Sequence, residues 1–145
     1  MTLSDLIAFS ALIVSIFALP ISYILGARGL KNTAYNGELS KLSDLCDLVF
    51  TEALNIHKKT QSNLSDEMDY HLMIAFHKRL QSKCLEIKSL SNSERYPRME
   101  LREVKQAITD HLVSDNLEVR NTAMRGLIYK LDALKTSLLL NLYDT

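Results

Sequence analysis

Arg98, Arg102 and Lys105 stand at successive spacings of four and three, so a helix carries all three on one face. Arg95 comes just before them, ahead of Pro97. Such a basic stripe can contact phosphate, an anionic lipid headgroup or the acidic surface of a partner. Glu94, Glu100 and Glu103 are interspersed with it and weaken its long-range field. Asp44 and Asp47 lie three apart on one helix face, and paired carboxylates do acid–base work when buried together. On an amphipathic helix the same pair is ordinarily the solvated face.

The four histidines, His57, His71, His77 and His111, form neither His-x-x-x-His nor the Glu-x-x-His of di-iron bundles. Glu67 and His71 are four apart, and two ligands alone make a weak metal site. Cys46 and Cys84 show no Cys-x-x-Cys spacing. Two isolated thiols on apolar helix faces fit a reducing compartment. No Gly-rich phosphate loop, nucleophile elbow or zincin motif occurs. The sequence therefore predicts no enzyme, no cofactor and no metal. Asn63-Leu64-Ser65 matches a glycosylation sequon, which a cytoplasmic loop would not expose to the modifying enzyme.

The elements that must position these residues begin with an apolar stretch. Leu6 to Ala27 carries no charged residue, whereas the remainder is densely charged with both signs. Across the chain, 17 basic residues balance 17 acidic ones. A neutral, mixed-sign aqueous part argues against a nucleic-acid binder. Leu3 to Leu25 has the length and hydrophobicity of a transmembrane helix, with Asp5 near its outer end and Pro20 within it. A cleaved signal peptide would have a basic start and a small-x-small cut site. Here no Lys or Arg precedes the run, and a cut after Ala27 would put Leu25 where a small residue belongs.

Arg28 and Lys31 follow the span directly and set the expected orientation. Under the positive-inside rule the N-terminus lies outside and the C-terminal part faces the cytoplasm, as in a single-pass protein of a bacterial inner membrane. Ser4, Ala8, Ala11, Ser15, Ala18 and Ser22 recur at alternating spacings of four and three, and Gly26 extends the stripe. Small residues along one face let membrane helices pack closely, which predicts a homo-oligomer.

The expected domain plan is a transmembrane anchor over 1–27, a juxtamembrane hinge over 28–37 and a cytoplasmic helical bundle over 38–145. The hinge rests on Gly26, Gly29 and Gly37 with Asn32 and Asn36. Tyr35, Leu39, Leu42, Cys46, Val49, Ala53 and Ile56 predict a heptad-patterned helix from about Gly37 to Lys59. Ser65 is the expected N-cap of a second helix to about Ser89, with Leu72, Phe76, Leu80, Cys84 and Ile87 inward and Met73 beside them. A third helix is expected from Pro97 to Val113 on Leu101, Val104, Ile108 and Leu112. Ser114, Asp115 and Asn116 supply caps for a last helix to about Tyr143. Its face is Met124, Leu127, Leu131, Leu134 and Leu138, widened by Ile128 and Leu142.

The fold class that follows is all-α: one N-terminal transmembrane helix, then an antiparallel four-helix bundle. The narrow heptad stripes also permit coiled-coil pairing between subunits. The expected function is a non-enzymatic, membrane-anchored scaffold or subunit of a membrane complex. Its partners are lipid, a second copy, or another membrane or cytoplasmic protein. The alternative is a small pore-forming or depolarising effector, against which the stripe's lack of ionisable residues counts.

Overall fold

The computed structural model describes residues 3–61, 67–91, 95–112 and 114–140, with the backbone alone for 3–11, 60–61, 67 and 140. Every element among them is helical: α1 (Leu3–Gln61), α2 (Glu67–Leu90), α3 (Arg98–Lys105), a π-helical segment (Gln106–His111) and α4 (Leu117–Leu140). The chain divides into two units, Met1–Ala34 and Tyr35–Thr145.

The first unit is the apolar part of α1. An 18-residue stretch reaches a mean hydropathy of 1.7 with none of it buried, so this helix is long and apolar enough to cross a membrane. Pro20 lies within it without ending it. Residues 28–37, expected as the hinge, are helical. Gly26, Gly29 and Gly37 all avoid the left-handed backbone that a turn would use. The Thr33 hydroxyl donates to the Gly29 carbonyl one turn earlier at 2.9 Å. A glycine costs about 1 kcal/mol of helix propensity, which long helical runs on either side absorb.

The second unit is a four-helix bundle made from the C-terminal part of α1, α2, α3 with its π continuation, and α4. Cross-links at both ends fix its up-and-down order. Lys59 Nζ meets Asp69 Oδ1 at 3.3 Å beside the α1–α2 connection, and Lys83 Nζ meets Glu38 at 2.9 Å at the far end. Tyr35 at the start of the unit bonds to Leu138 near the end of α4. All these helices send their stripes into one core, including Leu42, Val49, Leu80, Val104, Leu127 and Leu134. The heptads of α1 and α4 are thus buried within the single chain. Asn116 caps α4, its Oδ1 accepting from the backbone N–H of Glu118 at 2.9 Å and of Val119 at 3.3 Å.

Three further details depart from the sequence reading. On α2 Met73 is fully buried and Leu72 is 40% exposed, so the helix is turned toward Met73. Both residues lie within one helical step of a stripe through Phe76, and neighbouring helices decide between them. On α4 Ile128 is 46% exposed and does not widen the inner face. The third helix is not uniformly α. After Lys105 it relaxes into π geometry, with the Leu112 N–H bonding to the Ala107 carbonyl five residues back at 2.9 Å. That wider turn buries three consecutive residues, Ala107, Ile108 and Thr109. The Ser65 cap, the sequon and Leu142 lie outside the described residues.

Candidate functional site

Arg98, Arg102 and Lys105, predicted as one basic stripe, line one wall of a cavity of about 380 Å³. Their spacing on α3 does what the sequence required, since residues four and three apart share a helix face. The opposite wall comes from α2: Tyr70, Ile74, His77, Lys78 and Gln81. Tyr96, on the approach to α3, and Thr109, from the π segment, complete it. Leu101 and Ile74 give it an apolar floor.

The electrostatics are one-sided. Four cationic side chains line the cavity, and among the described residues no Asp or Glu does. Among the described residues none of these four cations is ion-paired. Asp110 reaches a lining residue, with its Oδ1 2.8 Å from Thr109 Oγ1, without being part of the wall. Thr109 Oγ1 also sits 2.8 Å from the Lys105 carbonyl, the side-chain-to-backbone contact that a polar residue uses within a distorted helix. His77 Nε2 lies 3.2 Å from the Leu101 carbonyl, which can only accept, so that nitrogen carries the proton. Burial lowers the His77 pKa, opposed by this hydrogen bond and reinforced by the charge of Lys105. His77 is thus held neutral at physiological pH, and the wall's positive charge comes from Lys78, Arg98, Arg102 and Lys105.

Sequence reasoning found the α3 wall and missed the α2 wall. The signal was present: Tyr70, Ile74, His77 and Gln81 recur at spacings of four, three and four beside the core stripe. Only the antiparallel pairing of α2 with α3 makes that second stripe face the cations.

The other candidates lie outside the cavity lining. Asp44 and Asp47 are both exposed on α1. His57 is buried, His71 and His111 are exposed, and Tyr70 meets His71 edge-on at a centroid distance of 5.8 Å. Cys46 and Cys84 are buried free thiols. Burial pushes each up to about 12, which keeps them protonated and unreactive at neutral pH. No group of three or more potential metal-ligating His, Cys, Asp or Glu residues gathers among the described residues. In the first unit Ser15, Ala18, Ser22 and Gly26 are exposed, as are Ile13, Ile16 and Phe17 on the other faces. The side chains of Ala8 and Ala11 lie outside the described residues. Arg28 and Lys31 are exposed on α1. Comparison with protein-family models, curated proteins and solved structures finds no match to this chain.

Proposed function

We propose that the chain is a non-enzymatic, membrane-anchored helical scaffold or subunit of a membrane complex, holding a cytoplasmic bundle at the membrane surface. The observation that carries this reading is the apolar first unit. Leu12, Val14, Phe17, Leu19, Ile24 and Leu25 each expose more than half of their surface, spread around the whole helix. Water is an unfavourable solvent for such a surface, at about 25 cal/mol per Å². A helix apolar on every face is at home in lipid, where its backbone bonds are already satisfied internally. Arg28 and Lys31 support an N-terminus outside and a cytoplasmic bundle. The Ser15, Ala18, Ser22 and Gly26 stripe supports self-association within a bacterial inner membrane.

Alkaline carbonate extraction of cell membranes tests the anchor, and paired fluorescent and phosphatase reporters fused after Thr145 test its orientation. The expected result is a carbonate-resistant chain with a fluorescent, phosphatase-inactive C-terminus. Release into the soluble fraction overturns the anchor, and phosphatase activity outside overturns the orientation. The mass of the detergent-solubilised complex tests assembly, and a strict monomer overturns self-association.

A further inference from the structure

We propose that the cavity between α2 and α3 is a binding site for a small phosphorylated ligand, held between Lys78 on one wall and Arg98, Arg102 and Lys105 on the other. The inference is independent of how the chain is anchored, because every group it uses lies in the bundle.

Charge sets the ligand's sign. Lys78 and the α3 cations come from different helices that fold against each other, and among the described residues no carboxylate of the cavity wall offsets them. Like charges gathered around one concavity repel, and a bound anion turns that repulsion into attraction. Two neighbouring cavities of the bundle, which share Arg98 and Lys78 respectively with this one, each include one carboxylate among their lining residues, Glu100 and Glu86.

Donor chemistry sets the ligand's class. Two guanidinium forks and two ammonium groups offer more N–H donors than one carboxylate can accept. A phosphate monoester carries close to two negative charges and three terminal oxygens, matching an array of this kind. The Tyr70 and Tyr96 hydroxyls and the Gln81 amide add neutral donors. Volume sets the size. About 380 Å³ is at the small end of ligand cavities, enough for a phosphate with a modest organic group on the Ile74–Leu101 floor. The π turn belongs to the same construction, because it brings Thr109 to the wall. A phosphate group of this kind comes either from a soluble ester or from a lipid headgroup.

The test is calorimetric titration of the full chain, in a neutral detergent, with three probes: AMP, inorganic pyrophosphate and a short-chain phosphatidic acid. Lys78→Gln and Arg102→Gln remove one cation from each wall, and Arg125→Gln removes an exposed cation elsewhere on the bundle. All three positions are exposed, and unchanged circular dichroism confirms that the variants are folded. Saturable binding of AMP or pyrophosphate is expected, weakened roughly tenfold or more by each wall variant and unaffected by Arg125→Gln. The same variant pattern with phosphatidic acid alone upholds the site and identifies the headgroup of a lipid as its source. Absence of saturable binding by all three probes overturns the proposal. So does binding that the wall variants leave unchanged, or that Arg125→Gln weakens equally.

Discussion

Tyr35 Oη donates a 2.6 Å hydrogen bond to the Leu138 carbonyl, joining two residues 103 positions apart. Leu138 lies in the last turn of α4, where carbonyls have no partner within the helix. Tyr35 is itself 4% exposed and packs in the core, so one side chain both fills the bundle's end and caps its final helix. The bundle therefore begins at Tyr35 rather than three residues later.

That boundary predicts different behaviour from two fragments. A fragment of residues 33–145 should fold as a soluble helical domain, and one of residues 38–145 should melt at a lower temperature. Tyr35→Phe in the longer fragment should cost about 0.5–1.5 kcal/mol, the usual net value of one hydrogen bond. Urea denaturation followed by circular dichroism measures both. Equal stability of the two fragments would contradict the role assigned to Tyr35.

Acid should weaken the join between α1 and α2. Glu38 accepts from Lys41 at 2.6 Å and from Lys83 at 2.9 Å, and these bonds hold its carboxyl down at about 2 from an ordinary 4.5. Because the folded value is depressed, the stabilisation is complete above pH 4.5 and is lost as the pH falls toward 2. Lys83, raised by its bonds to Glu86 and Glu38, adds a contribution lost only above its ordinary 10.5. Glu38→Gln should therefore flatten the stability profile between pH 4.5 and 2 and leave the slope through the neutral range nearly unchanged. Chemical denaturation across that range is the measurement, and an unaltered acid slope would place the pH dependence elsewhere.

Adjacent substitutions on α2 separate its core face from its flank. Met73 has 0% exposure and Leu72 has 40%. Met73→Ala should cost about 2–5 kcal/mol, as for other large-to-small core changes. Leu72→Ala should stay closer to the roughly 0.5 kcal/mol of an exposed position. The reverse order in denaturation midpoints would restore the face expected from spacing alone.

Gly37→Ala tests whether the stretch before the bundle is helix or turn. A Cβ at Gly37 meets nothing within 4 Å, and the backbone there is right-handed. Alanine should then stabilise the 33–145 fragment by about 0.4–1 kcal/mol, by restricting the unfolded chain and favouring the helix. A loss of stability on denaturation would mean that glycine's freedom is needed and that the predicted hinge is real.

These residues show which features a one-dimensional pattern carries. Heptad stripes such as Val49, Ala53 and Ile56 revealed their helices, because burial repeats with the helical period. The Asn116 cap was legible from its side chain and position, and the structure makes its bonds. Choosing Met73 over Leu72 requires the neighbouring helices, since adjacent residues fit the same period almost equally. Gly29 and Gly37 suggested a break because glycine is a poor helix former, yet helix on both sides outweighs them. The π turn around Ala107 has no sequence signature of its own. Arg98, Arg102 and Lys105 were visible as a stripe, whereas Lys78 joins them only through tertiary pairing.

The small-residue stripe in the first unit makes a prediction about assembly. Ser15, Ala18 and Ser22 follow one face at spacings of three and four, and bulk added there should hold two helices apart. Ser15→Leu and Ala18→Leu remove the close backbone approach that drives association in lipid. Ile13→Leu and Ile16→Leu, off the stripe, only need to remain apolar and should change little. All four variants keep a span hydrophobic enough to insert, so insertion is not what differs among them. A single cysteine at position 4 reports proximity by crosslinking in native membranes. Cys46 and Cys84 do not compete, because both are buried and both thiols stay protonated at neutral pH. The two stripe variants should lose crosslinked dimer and larger species, and the two isoleucine variants should retain them. Equal crosslinking in all four would remove the stripe from the assembly and leave any self-association to the helical bundle.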